Sequence, residues 1–262
     1  MNSLLTLYLD QFLIFVLVLA RISTLVMTLP VFGSSGVPMQ VRGLLAVAIA
    51  LLIAPLHWGM PISRPDNLLA LAILIGREAI LGLALGSAVM ILLSGMQLAG
   101  QVISQMSGLS LADVFNPTFE TSVPIFSQLL EMLALAIFFL LGGHREVIDA
   151  LLGSFAWMPP GAVELPSDLT MALSAVASQS FETGIRASAP VMISLLLAIL
   201  IVALISRTLP QLNSVAAGLP FNSLIVLAVL ALCIGSAAYV FQETAPDAIS
   251  TMREVFEGQT TP

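Results

Sequence analysis

The strongest constraint on this 262-residue chain is a succession of long apolar runs: Phe12 to Leu29, Gly43 to Trp58, Leu68 to Gly100, Pro124 to Gly143, Ala187 to Ser206 and Val215 to Phe241. A helix of roughly 20 apolar residues crosses about 30 Å of hydrocarbon. Runs of this length define an all-α, membrane-associated class. Hydrophobic residues make up 58% of the chain and charged residues 9%, against about 25% charged in soluble domains, which excludes a water-soluble globule. There is no lysine, and the eight arginines and fifteen acids give a net charge of −7. Phosphate binding needs a basic stripe, so nucleic acid is excluded as a partner.

Several runs are poor spans. The second ends in Pro55 and His57, the third holds Arg77-Glu78, and the first and fourth hold Arg21 and Glu131. Ionisable groups at that depth must face protein or water. Arg77, Glu78 and Glu131 are therefore read as buried charges that either pair at interfaces or serve a proton or ion pathway. The arginines give no orientation, because Arg42 and Arg207 fall in loops of one parity and Arg64 and Arg145 in loops of the other. Interrupted spans without charge bias point to helices held mainly by other protein subunits.

Asp10 lies ahead of the first run and no basic residue precedes Arg21, which is the wrong pattern for a cleavable secretory signal. The first segment is expected in the mature protein. Cys233, in an apolar run, allows neither a disulfide nor a Cys-x-x-Cys pair and reads as a small core residue. No Gly-Lys-Ser/Thr phosphate loop, His-Glu-x-x-His or calcium loop occurs, and His57 and His144 have no second ligand at metal spacing. Gly33-Ser34-Ser35-Gly36 matches the Gly-x-Ser-Gly of intramembrane serine proteases, but it lies between two prolines, away from both histidines, and reads as a turn.

Two connections share a pattern. Leu29-Pro30 is followed by Gly36-Val37-Pro38, and Leu209-Pro210-Gln211-Leu212-Asn213 by Gly218-Leu219-Pro220. Each is expected to turn a helical hairpin through a rigid kink. Gly82-x-x-x-Gly86 is a small-residue stripe that lets another helix approach closely and favours assembly. Glu182 and Arg186 have the spacing of a surface i,i+4 pair. Between the fourth and fifth runs, Val147, Ile148, Leu151, Leu152 and Phe155 share one helical face, which Met158-Pro159-Pro160-Gly161 ends. Ser167 can cap a further helix with Leu169, Leu173, Val176 and Phe181 on one face, running towards Pro190. After Pro246 a short acidic tail can form an amphipathic helix through Ile249, Met252, Val255 and Phe256.

Hydrophobicity falls abruptly between Gln97 and Pro124. Gln97, Gln101 and Gln105 recur every four residues, an uncharged polar stripe that can line a watery lumen or meet polar partner groups. The stretch after Met106, from Gly108 through Val114, Phe115, Asn116, Pro117 and Phe119, is expected as a non-helical or short-helical loop. Such backbone at membrane depth is tolerated only where protein buries it or it lines a cavity. Methionine and aromatic side chains suit a plug or gasket; the other reading is an ordinary surface connection.

Taken in order, these residues resemble a known family. Arg21, Leu29-Pro30, Gly36-Val37-Pro38 and Arg42 are followed by Gln97, Gly100, Ile103, Gln105-Met106 and Gly108-Leu109. Then come Asn116-Pro117, Pro124, Gly143-His144, Ala189-Pro190-Val191, and Arg207, Pro210-Gln211, Asn213, Gly218 and Pro220. The pattern resembles that of the flagellar biosynthetic protein FliR family over nearly the whole chain. It departs at Asn116-Pro117, where the family usually has Asp-Pro; the proline turn is kept and the carboxylate is not.

The resemblance implies a single subunit domain over residues 1–262, with a plug-like loop at about 104–124 and a short acidic tail at 242–262. It implies hydrophobic helical hairpins, with broken and kinked helices, in a non-enzymatic subunit of the flagellar type III export gate. FliP- and FliQ-like partners, with FlhB- and FlhA-like components, would form with it a conduit for unfolded substrates. The setting would be the flagellar basal body in the bacterial inner membrane, with no cofactor and no nucleotide. Pro30, Gly36, Pro38, Arg42, Gly82, Gly86, Arg207, Pro210, Gln211, Asn213, Gly218 and Pro220 would shape hairpin turns and subunit packing. Gln101, Gln105, Met106 and the loop to Phe119 would form plug and lumen. Two alternatives stay open: the homologous subunit of a virulence injectisome, and a small secondary transporter or proton channel using Arg77, Glu78 and Glu131. An intramembrane protease using Ser35 is a more distant third.

Overall fold

The structure is a computed structural model that describes residues 2–30, 37–60, 62, 64–107, 124–162, 168–208 and 214–257. Among them every long element is a helix: α1 (Asn2–Thr28), α2 (Met39–Ile53) with a 3-10 turn (Ala54–His57), α3 (Leu68–Ser107), α4 (Ile125–Leu140), α5 (Gly143–Trp157), α6 (Leu169–Thr208) and α7 (Ser214–Glu257). Among the described residues five stretches are long and apolar enough to cross a membrane: Leu7–Thr28, Met39–His57, Leu68–Ser107, Leu169–Ile205 and Leu224–Asp247. The bent pair α4–α5 counts as a sixth when taken as one span. All-α architecture with broken helices is thus what the apolar runs encode.

Three helices outrun the expected segments. α3 and α6 are each 40 residues and α7 is 44. At 1.5 Å per residue a 40-residue helix is about 60 Å long, twice the hydrocarbon thickness. Such helices extend well beyond a single lipid crossing. α6 continues through Pro190. Four residues on, the Ser194 hydroxyl donates to the Pro190 carbonyl at 2.7 Å. α7 passes through Gly218, Pro220 and Pro246. Gly218 and Pro220 are therefore helical residues rather than part of a hairpin turn, and the acidic tail continues α7 instead of starting a new helix. Proline costs one backbone hydrogen bond, and in α7 the helix continues past each one.

The chain comprises two compact units. Unit 1 takes residues 1–91, 142–176 and 248–262; unit 2 takes 92–141 and 177–247. In unit 1, α1 buries Ile14, Leu17, Val18, Ile22 and Leu25 at helical spacing, and α2 buries Ala46, Ala50 and Ile53. α5 buries Val147, Leu151 and Phe155, whereas Ile148 and Leu152, expected on the same face, are exposed. In unit 2, α3 buries Leu92, Met96, Ala99 and Ile103, and α4 buries Phe126, Leu130, Ala134 and Phe138. The α6 stripe there is Ser180, Thr183, Gly184, Ala187 and Val191, while Phe181 is exposed, contrary to the expected face. Small residues occupy the inner stripe because the neighbouring backbone comes too close for a large side chain. A Cβ on Gly184 would stand 2.5 Å from the Gly95 carbonyl oxygen.

Candidate functional site

Unit 1 holds one polar cluster in its core. Arg21 of α1 and Glu78 of α3 are both fully buried. Arg21 Nε donates to Glu78 Oε2 at 2.7 Å, and Nη2 lies 2.6 Å from the same oxygen. Nη1 donates to the Ser154 carbonyl at 2.9 Å and to Ser154 Oγ at 3.0 Å, while Nη2 also donates to the Met158 carbonyl at 3.0 Å. A guanidinium carries five N–H donors; four hydrogen bonds and the short Nη2–Oε2 ion-pair contact engage all three of its nitrogens. Glu78 Oε1 accepts from the Gly161 amide at 2.9 Å. The Arg21 guanidinium carbon also stands 4.2 Å from the centroid of the Phe155 ring, a cation–π distance.

The local sequence explains the geometry. α5 ends at Trp157, where the Pro159-Pro160 pair prevents continuation. Ala162 N donates to the Pro159 carbonyl at 3.0 Å, closing a tight turn with Gly161 at φ +85°. That conformation favours glycine, and the turn aims the Gly161 amide at Glu78. The guanidinium sits at the C-terminal end of α5, where the helix dipole favours a cation. A buried pair of this kind stands only when its remaining hydrogen-bonding capacity is filled, and here it is.

Unit 2 has a different polar feature. Gln97 and Gln101 are half-buried and Gln105 is exposed, so the glutamine stripe lies one step round α3 from the buried Met96, Gly100 and Ser104. Gly100 abuts the α4 backbone at Phe126 and Ser127, and Gly95 abuts Ser180 of α6. The Ser104 and Ser127 hydroxyls are buried without a hydrogen-bond partner among the described residues.

The expected site residues divide accordingly. Glu78 is buried as expected, but Arg77 is exposed and Glu131 half-buried. Successive helical residues point about 100° apart, so turning Glu78 inward turns Arg77 out. Gly82 and Gly86 were expected at a subunit contact, yet α1 of the same chain fills both: a Cβ on Gly82 would meet Arg21 O and Thr24, and one on Gly86 would meet Thr28. Pro38 opens α2, its carbonyl accepting from Val41 and Arg42. Pro30 is half-buried just past α1, Arg42 is half-buried, Met106 is half-buried in the last turn of α3, and Arg207 is exposed in the last turn of α6. Gly36, Gly108, Val114, Phe115, Asn116, Pro117, Phe119, Pro210, Gln211 and Asn213 lie outside the described residues, as do Ser35 and Ser167. Glu182 and Arg186 form the expected exposed pair at 2.7 Å. His57 is a core histidine, its Nδ1 3.2 Å from the Ile53 carbonyl and its ring 5.6 Å from that of Phe155. Cys233, read as a core residue, is partly exposed.

Arg21 as the partner of Glu78, and with it Ser154, Met158 and Gly161, is not legible in the sequence pattern. The usable signal was an unmatched arginine in the first apolar run and an acid in the third.

These features define an all-helical protein of the membrane class, with a buried, hydrogen-bonded ion pair in unit 1. Residues 12–247 match the family of bacterial export proteins, family 1, and the chain belongs to that family. It is 30% identical over 228 residues to the flagellar biosynthetic protein FliR of Caulobacter vibrioides, covering 87% of this chain and 90% of that one. It is 29% identical over 214 residues to the FliR of Escherichia coli, covering 81% of each. It is also 27% identical over 158 residues to the secretion system apparatus protein SsaT of Salmonella typhimurium, covering 60% of this chain and 61% of that one.

Proposed function

We propose that this chain is the FliR-type subunit of a flagellar type III export gate. With FliP- and FliQ-like partners it forms a channel for unfolded flagellar proteins across the bacterial inner membrane, within the basal body and beside FlhB- and FlhA-like components. The observation that carries this reading is likeness to flagellar FliR proteins over 81–90% of chain length. Exposed apolar surface supports it. α6 leaves Ile193, Leu196, Leu197 and Leu200 uncovered, and α7 leaves Leu224, Leu227 and Leu232 uncovered, as expected of a subunit seated among other helices. The role is non-enzymatic, and energy for export comes from other components.

In this reading the glutamine face of α3 and the following loop form lumen and plug. The loop closes the channel to ions at rest and is displaced by an entering substrate. Gentle extraction of the tagged protein from its own membranes should yield a large hetero-oligomer containing small hydrophobic partners. A lone monomer or homo-oligomer that stays folded would favour the transporter reading instead. Deleting residues 110–119 should raise membrane ion conductance while the complex still assembles, and unchanged conductance would remove the plug assignment. The likeness to SsaT keeps a virulence injectisome as the second reading. Deletion of the gene separates the two: loss of flagellar filaments supports the first, and loss of effector secretion with intact motility the second.

A further inference from the structure

We infer that the oxygen cluster at the end of α5 is a built guanidinium-binding site, that Arg21 is its tethered ligand, and that filling this site is what docks α5 and its terminal turn in unit 1. The acceptors come from separate parts of the chain: the Glu78 carboxylate from α3, and Ser154 O, Ser154 Oγ and Met158 O from α5 and its cap. They surround a planar fork: Nε donates to Glu78 Oε2 with Nη2 close to the same oxygen, Nη1 donates to both Ser154 oxygens, and Nη2 donates to the carbonyl of the capping residue Met158. The Phe155 ring covers one face. A spherical cation has neither the flat faces nor the divergent donors that this arrangement meets. Ends of broken helices can bind cations through their carbonyl oxygens, and here a side chain of the same protein occupies that position.

The rest of α5 is suited to conditional docking. It is 15 residues long, short enough to be marginal on its own. It follows Gly142, whose φ of +78° marks a backbone break. Its buried side chains in unit 1 are few: Val147, Leu151 and Phe155, with Ser154 among them. Without the guanidinium, the Glu78 carboxylate and the Ser154 and Met158 carbonyls would lose their shared donor, leaving the Gly161 amide as the one hydrogen bond described between Glu78 and the terminal turn.

The test uses the assembled complex in native membranes, with Cys233→Ser and Val147→Cys as a reporter that is buried when α5 is docked. Arg21→Ala should speed maleimide labelling of the reporter by at least about tenfold, since removing one partner of a buried pair is strongly destabilising. Millimolar methylguanidinium should return the rate to near that of Arg21, and equal concentrations of sodium or potassium chloride should not. Labelling that is unchanged in the alanine variant, or raised but indifferent to methylguanidinium, overturns the inference; so does equal rescue by alkali cations. Arg21→Lys provides an independent reading should the alanine chain fail to accumulate. It keeps the charge and loses the fork, so labelling should still exceed that of the arginine protein, and an unchanged rate again overturns the site.

Discussion

Unit 1 and unit 2 are both built from apolar helices and both let helices meet closely at glycine, yet among the described residues only unit 1 adds a buried ion pair. Unit 1 fixes three segments with one saturated ion pair, in which Arg21 reaches Glu78, Ser154 and Met158 and Glu78 reaches Gly161. Unit 2 brings backbones together at glycine and serine, with Gly95 against Ser180 and Gly184, and Gly100 against Ser127. Where lipid or partner helices surround a protein, the hydrophobic effect no longer selects which helix faces which. Specificity has to come from a charge that must be met or from a shape that only small residues allow. Unit 1 combines the two, with Gly82 and Gly86 held against α1 beside the ion pair, whereas unit 2 uses the second.

The largest effect that tests this contrast is loss of one partner in unit 1. Arg21→Met leaves Glu78 buried and unpaired, at a cost of about 3–5 kcal/mol, read as loss of accumulated protein or by denaturant titration of the purified chain. The double variant Arg21→Met with Glu78→Leu should recover most of that loss, because matched apolar groups can replace a buried pair. If the double variant is as damaged as the single, the charges do more than hold the fold.

In unit 2 the corresponding test adds a methyl group. Gly184→Ala sets a Cβ against the Gly95 carbonyl oxygen, and Gly95→Ala sets one against Ser180. Backbone has little room to yield, so each should cost about 1–3 kcal/mol. Gly235→Ala in α7 is the control, since nothing lies within 4 Å of its Cβ position. It should stabilise by about 0.5–1 kcal/mol through helix preference alone. If all three glycine variants behave alike, close approach is not what orders unit 2.

The apolar runs made the helices legible, since spans must be long and unbroken by charge. Their ends were less legible. The Ser167 helix was expected to run towards Pro190, Pro220 was expected in a kinked hairpin turn and Pro246 ahead of a separate tail helix, but proline removes only one hydrogen bond and the helices continue through all three. Glu78 was found because a carboxylate in an apolar run needs a partner. Its partners were not, because Arg21 lies 57 residues away and the Ser154 and Met158 carbonyls have no signature in side-chain chemistry. Gly82-x-x-x-Gly86 announced a close helix contact without saying whether α1 or another subunit supplies it. Gly95 and Gly184 stand far apart in sequence, so no local spacing links them. Residues 108–123, which carry the expected plug, are read from sequence alone.

The smallest predicted effect bears on whether the outer face of unit 2 is covered by other subunits. Glu182 and Arg186 carry the same kind of charges as Glu78 and Arg21, at a similar distance of 2.7 Å, but their side chains are 60% and 54% exposed in the chain alone. Solvent screens such a pair, and i,i+4 pairs on helices contribute about 0.3–0.5 kcal/mol. Glu182→Gln should therefore leave the denaturation midpoint of the isolated chain almost unchanged and lose what effect it has in high salt. In the assembled complex the result depends on what faces α6. If lipid headgroups or water do, the variant stays nearly silent there too. If a partner helix covers the pair, Arg186 loses its counter-charge in a dry interface, and dissociation of the complex should accelerate by roughly tenfold or more. A substitution almost silent in the free chain and costly in the complex would locate a subunit contact on this face of α6. Equal, small effects in both would assign it to solvent or headgroups.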